Sequence, residues 1–207
     1  HVRRSTGEPT KANGGESAYE PLTISDDTGS VTTAGIKTYG RAVHSFVSRT
    51  GEYAIENVKK GGKFEPSFEH TEGLSINEYN KQNPCGLMFL DHCVGNVDEG
   101  KMNHWVQWYE DTLGFAMFKH FDDADISTEH SALMSKVMAS GNNLIKFPIN
   151  DPAEGKKKSQ IQEYLEWHDM CPGVQHLAFR TNDCLASVAE LRRRGVDFLR
   201  IPDEYYE

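Results

Sequence analysis

Cysteine is sparse in this chain: 207 residues hold four, Cys85, Cys93, Cys171 and Cys184, and no two form a CxxC pair. Such spacing argues against a structural zinc knot or a disulfide-stapled scaffold and suits a reducing compartment, so a cytoplasmic location is expected. Positive charge is short as well, with 22 Lys and Arg against 31 Asp and Glu and a formal net charge of -9. A basic face wide enough to track a phosphate backbone is not expected, and nucleic acid drops out as a partner. Hydrophobic residues make up 37% of the chain but are scattered. The longest clean apolar run, Gly86 to Leu90, is far short of the ~20 residues of a membrane span, so a soluble protein without a membrane partner is expected. The first residue is His1 and the last Glu207. Neither end reads as a natural terminus, and the absence of a targeting segment therefore carries no weight. What is present is length enough for the core of one large domain or two small ones.

Residues 1 to about 20 are polar and rich in Gly, Ser and Thr, and read as loop. Val31–Thr38 and Ala42–Arg49 are β-branched and aromatic around the turn signal Tyr39-Gly40-Arg41, which predicts a hairpin. Residues 51–84 carry two prolines and no sustained period, as a linker would. From residue 85 the pattern firms. Leu87–Val94 predicts a strand, then Asn96 or Asp98 caps a helix whose apolar face is Met102, Trp105, Val106, Tyr109 and Leu113. Gly114 closes it, and Phe115–His120 predicts a strand. Ser131–Ala139 and Leu144–Ile149 form a second hairpin around Gly141-Asn-Asn143. A short helix is expected over Ser159–Trp167. Gly173–Phe179 is then a strand, Thr181 or Asn182 caps a helix with Leu185, Val188 and Leu191 inward, and Val196–Arg200 is again a strand.

Strand, helix, strand thus occurs twice. His92 precedes Gly114 by 22 residues and His176 precedes Gly195 by 19, so each unit carries a His on its first strand at nearly one offset. A lone His among apolar neighbours is ordinarily a satisfied core residue. Two at equivalent places in a repeat are different: if the units share a cleft, the imidazoles converge from its two sides as half of a metal site. His44, His104, His120, His130 and His168 have no such counterpart. Lys156–Lys158 reads as a solvated segment, Arg192–Arg194 as the cationic last turn of a helix, and Trp105, Trp108 and Tyr109 as core.

Six runs carry a resemblance: Leu90-Asp-His-Cys-Val-Gly-Asn-Val97, Tyr109-Glu-Asp-Thr-Leu-Gly-Phe115, Ser131–Val137, Phe147-Pro-Ile-Asn-Asp-Pro152, Lys157–Leu165 and Gly173-Val-Gln-His-Leu-Ala178. In this order they resemble the 4-hydroxyphenylpyruvate dioxygenase family. The resemblance implies an α+β protein of the vicinal-oxygen-chelate fold, with paired βαβββ units forming an open sheet around a metal cleft, incomplete at both ends. It implies that residues 1–50 end an N-terminal βαβββ domain, 51–84 link, and 85–207 begin the iron-binding catalytic domain, its second repeat truncated.

By the same resemblance His92 and His176 are two ligands of Fe(II), and the third, a Glu, lies beyond Glu207; Glu190, Glu204 and Glu207 do not sit in the matching motif. Ser135, Asn150, Gln160 and Gln175 are the implied substrate-binding residues. The implied reaction converts 4-hydroxyphenylpyruvate and O2 to homogentisate and CO2 in tyrosine and phenylalanine catabolism, with a homo-oligomer expected of the full-length protein. Pro148 beside Asn150 resembles the dioxygenase more than its sister 4-hydroxymandelate synthase, which uses the same iron and substrate. A metal-free small-ligand-binding protein of the same fold is the third reading.

Overall fold

The five strands of one open sheet build the part of the molecule that carries the site. The computed structural model describes residues 13–69, 76–121, 133–152 and 159–200. The expectations for residues 1–12, His130, Lys156–Lys158, Glu204 and Glu207 fall outside these. Three strands, β1 (Ser17–Asp26), β2 (Gly29–Lys37) and β3 (Val43–Gly51), form an antiparallel sheet in that order. Helices α1 (Ile55–Lys59) and α2 (Ile76–Gln82) follow. A five-stranded sheet has the order β5-β6-β7-β4-β8, from β4 (Leu87–Asn96), β5 (Ala116–Phe121), β6 (Leu133–Ala139), β7 (Lys146–Pro152) and β8 (Gly173–Thr181). Helix α3 (Met102–Leu113) joins β4 to β5, α4 (Gln160–Trp167) precedes β8, and α5 (Cys184–Arg193) follows it. The class is α+β with two open sheets, as expected.

The chain divides into two compact units, one of residues 1–70 with 91–178, the other of 71–90 with 179–207. In the first, the apolar face of α3 lies on one face of the sheet. Tyr39, Val97, Met102, Val106, Tyr109, Met138 and Ile149 form its buried core, each at most 6% exposed. Because strand side chains alternate, burying Met138 and Ile149 beneath α3 sends Val137, Pro148 and Asn150 to the opposite face. Parallel pairing of β4 with β7 (Gly95 beside Ile149) and antiparallel pairing of β6 with β7 (Ser135 opposite Asn150) set the register. In the second unit, Ser187 is the buried residue of α5, and its hydroxyl meets that of Thr181 at 2.7 Å.

Several local expectations need correction. Strand β1 begins at Ser17, inside the stretch read as loop. Most of its residues are exposed, so no apolar alternation marks it, and its ladder to β2 holds it. Helix α3 is not capped by Asn96 or Asp98. The carboxylate of Asp151, from β7, accepts the backbone N–H groups of Gly100 (3.0 Å) and Met102 (3.1 Å). Helix α5 is capped by Asp183, which accepts from Ala186 N at 2.9 Å, while Thr181 Oγ1 accepts from Asp183 N. Leu185, expected inward, is 85% exposed. Val196–Arg200 is not a strand; a strand needs a neighbour for its N–H and C=O groups, and β8 pairs with β4 instead.

Candidate metal centre

Adjacent strands bring the two repeat histidines together. His92 on β4 and His176 on β8 stand with ring centroids 5.9 Å apart and planes at 72°. Each ring spends Nδ1 on the residue before it: His92 donates to Asp91 Oδ2 at 2.9 Å, and His176 to the Gln175 side-chain oxygen. Nε2 is left in both as the nitrogen available to a ligand, the arrangement common to metal-bound imidazoles whose other nitrogen is held by a carboxylate or carbonyl. Burial, and secondarily the His92 ring, push the His176 pKa down, which favours the neutral form that binds metals.

The other carboxylate oxygen of Asp91 accepts from Lys146 Nζ at 2.9 Å, and these hydrogen bonds, that to His92 first, lower the Asp91 pKa. Both histidines line a cavity of about 460 Å³. Its walls are apolar at Val94, Phe118, Val137 and Pro148, with Ser135 and Asn150 as buried polar groups. Ser135 and Asn150 are direct cross-strand partners, which places both on one face. The Asn150 amide donates to Asn96 Oδ1 at 3.2 Å, leaving its own carbonyl oxygen for another partner. Phe118 and Lys119 both reach the cavity, although consecutive, because the β5–β6 register slips between Met117 and Lys119.

Of the residues singled out from the sequence, His92, His176, Ser135 and Asn150 surround this cavity. Gln175 lies exposed beside it with its amide on His176, and Gln160 is exposed on α4. Asp91 and Lys146 were not singled out. Asp91 stands next to His92 in the chain, whereas Lys146, 55 residues from Asp91, becomes visible only once β7 lies beside β4. Two imidazoles fit part of a metal site. Among the described residues no third His, Cys, Asp or Glu completes it.

The α+β architecture with open sheets is that of a recognised class. Residues 89–207 match the glyoxalase/bleomycin resistance protein/dioxygenase superfamily, and the chain belongs to it. Within that class it is similar to the 4-hydroxyphenylpyruvate dioxygenase of Yarrowia lipolytica, with 47% identity over 91% of this chain and 45% of that protein. It is similar also to the enzyme of that name from Aspergillus fumigatus, 42% identical over 94% of this chain and 46% of the relative. The chain spans about half the length of these curated relatives. A solved mutant of 4-hydroxymandelate synthase from Streptomyces coelicolor shares the fold, with TM-score 0.67 and 22% identity over 98% of this chain and 53% of that one.

Proposed function

We propose that this chain is the iron-binding portion of an Fe(II)-dependent dioxygenase that converts 4-hydroxyphenylpyruvate and O2 to homogentisate and CO2, with residues 1–50 completing an N-terminal domain and 51–84 linking it to residues 85–207. The observation that carries the reading is the facing of His92 and His176 across one cavity that also holds Ser135 and Asn150. The two relatives named 4-hydroxyphenylpyruvate dioxygenase, each about twice the length, support this reading. Four free cysteines suit the reducing cytoplasm.

Iron bound there would supply chelation of a 2-oxo acid and activation of O2. His92 and His176 offer Nε2 donors, their Nδ1 atoms held by Asp91 and Gln175. The Ser135 hydroxyl and the Asn150 carbonyl are placed to hydrogen-bond a polar group of the substrate, while Val94, Val137, Phe118 and Pro148 enclose an aromatic ring. Uncharged polar partners orient the substrate without competing with the metal for its carboxylate.

The test is product formation by the full-length protein loaded with Fe(II) without oxygen and then exposed to it. Homogentisate is expected from the wild type and none from His92→Ala or His176→Ala, whereas His104→Ala, altering an exposed ring on α3, should retain near-normal turnover. Hydroxymandelate as product would assign the sister reaction, and turnover by His176→Ala would refute the metal assignment.

A further inference from the structure

Asp91 and His92 are consecutive on a strand, where side chains ordinarily point to opposite faces, yet both border the same cavity. What turns Asp91 there is divided between its two oxygens. Oδ1 is tied to Lys146 Nζ at 2.9 Å, and Oδ2 takes the Nδ1 proton of His92, also at 2.9 Å. The Asp91 side chain is 36% exposed and that of Lys146 20%, so the pair is not freely solvated. Lys146 opens β7, the strand that pairs in parallel with β4 from Gly95 beside Ile149 onward. We infer that Asp91, tethered by Lys146, is a positioning residue that fixes the tautomer and ring angle of His92 and so aims its Nε2 into the cavity.

The chemistry follows from the imidazole itself. A neutral ring carries one proton, and a carboxylate that accepts at Nδ1 forces it there, leaving Nε2 as a lone pair. A solvated imidazole prefers the other tautomer and turns about its Cβ–Cγ bond. Lys146 in turn keeps the carboxylate from swinging into the cavity, where it would compete for the metal, and balances its charge. The pairing of His176 with the neutral Gln175 amide is the weaker counterpart on β8. This inference rests on the metal reading of the His pair, and its test separates the two.

The 207-residue chain is labelled with 15N at histidine and examined by NMR without metal at pH 8, then titrated with Co(II), read by calorimetry and by broadening of the His signals. Wild-type His92 is expected as the Nδ1–H tautomer. Asp91→Ala should shift it to Nε2–H and weaken Co(II) binding roughly 10- to 100-fold. Asp91→Asn, which keeps an acceptor, should retain the tautomer and most of the affinity. The double variant Asp91→Ala/Lys146→Met removes the unpaired ammonium left by the single one and should bind no better than it.

An Nε2–H tautomer in the wild type, an Asp91→Ala affinity within twofold of wild type, or recovery in the double variant would overturn the positioning role. Co(II) binding that His176→Ala leaves unchanged would overturn the metal reading instead, a failure that shows in a different variant.

Discussion

Asp151 is 2% exposed, and its carboxylate accepts two backbone N–H groups at the start of α3. The partial positive charge of the helix N-terminus adds to those two hydrogen bonds. Removing the carboxylate leaves the buried Met102 N–H and the part-buried Gly100 N–H without their acceptor, the buried one costing on the order of 1 kcal/mol or more. Asp151→Ala is therefore expected to destabilise the fold by roughly 2–3 kcal/mol, seen as a lower urea midpoint, and Asp151→Asn, which keeps one acceptor, by about half of that. The capping role of Asp151, 49 residues from Met102, depends on where β7 lies.

Helix α3 shows the contrasting case, an element whose limits are local. Its inward positions Met102, Val106 and Tyr109 are buried at helical spacing, as the apolar pattern predicts. Its end is set by Gly114, whose φ of +65° turns the chain so that the next N–H, that of Phe115, reaches the carbonyl of Tyr109 at 3.1 Å. Nothing lies within 4 Å of the position a Cβ would take there. Gly114→Ala should accordingly cost only the backbone penalty of the left-handed conformation, about 1 kcal/mol, with the folded structure unchanged by circular dichroism. The second repeat is less regular. Leu185 faces out, the residue turned inward on α5 is Ser187, and the strand expected after Gly195 is absent. A periodic pattern reports which residues are apolar, but not whether a surface stands ready to receive them.

Across the larger unit, His44 on β3 ties the three-stranded sheet to the core under α3. Its Nε2 is hydrogen-bonded to the buried Tyr109 hydroxyl at 2.8 Å, and its ring packs on Trp108, Tyr109 and Phe147. Burial pushes its pKa from the ordinary 6.5 down to about 4. Between those values the unfolded chain holds the proton and the folded chain does not, so stability is fully present above pH 6.5 and declines as the pH falls toward 4. The slope from this group approaches ~1.4 kcal/mol per pH unit within that window. His44→Gln, which cannot titrate, should flatten the fall in urea midpoint between pH 6.5 and 4 relative to wild type. An identical decline in both proteins would place the acid sensitivity elsewhere.

His44 had no partner in the repeat and nothing in its neighbourhood marked it, because Tyr109 lies 65 residues away. His92 and His176 were legible for the opposite reason: a repeated strand–helix layout is written locally twice, and two histidines at matching offsets stand out before any fold is known. The helix α3 and both hairpins were legible in the same way, since side-chain period and turn chemistry act over a few residues, whereas Ser135 and Asn150 were pointed to only by the family resemblance. Lys146 beside Asp91, Asp151 at the head of α3 and His44 under Tyr109 were decided only by the folded chain. Strand register and sheet order set those neighbours, and a one-residue slip would exchange the cavity face for the core face.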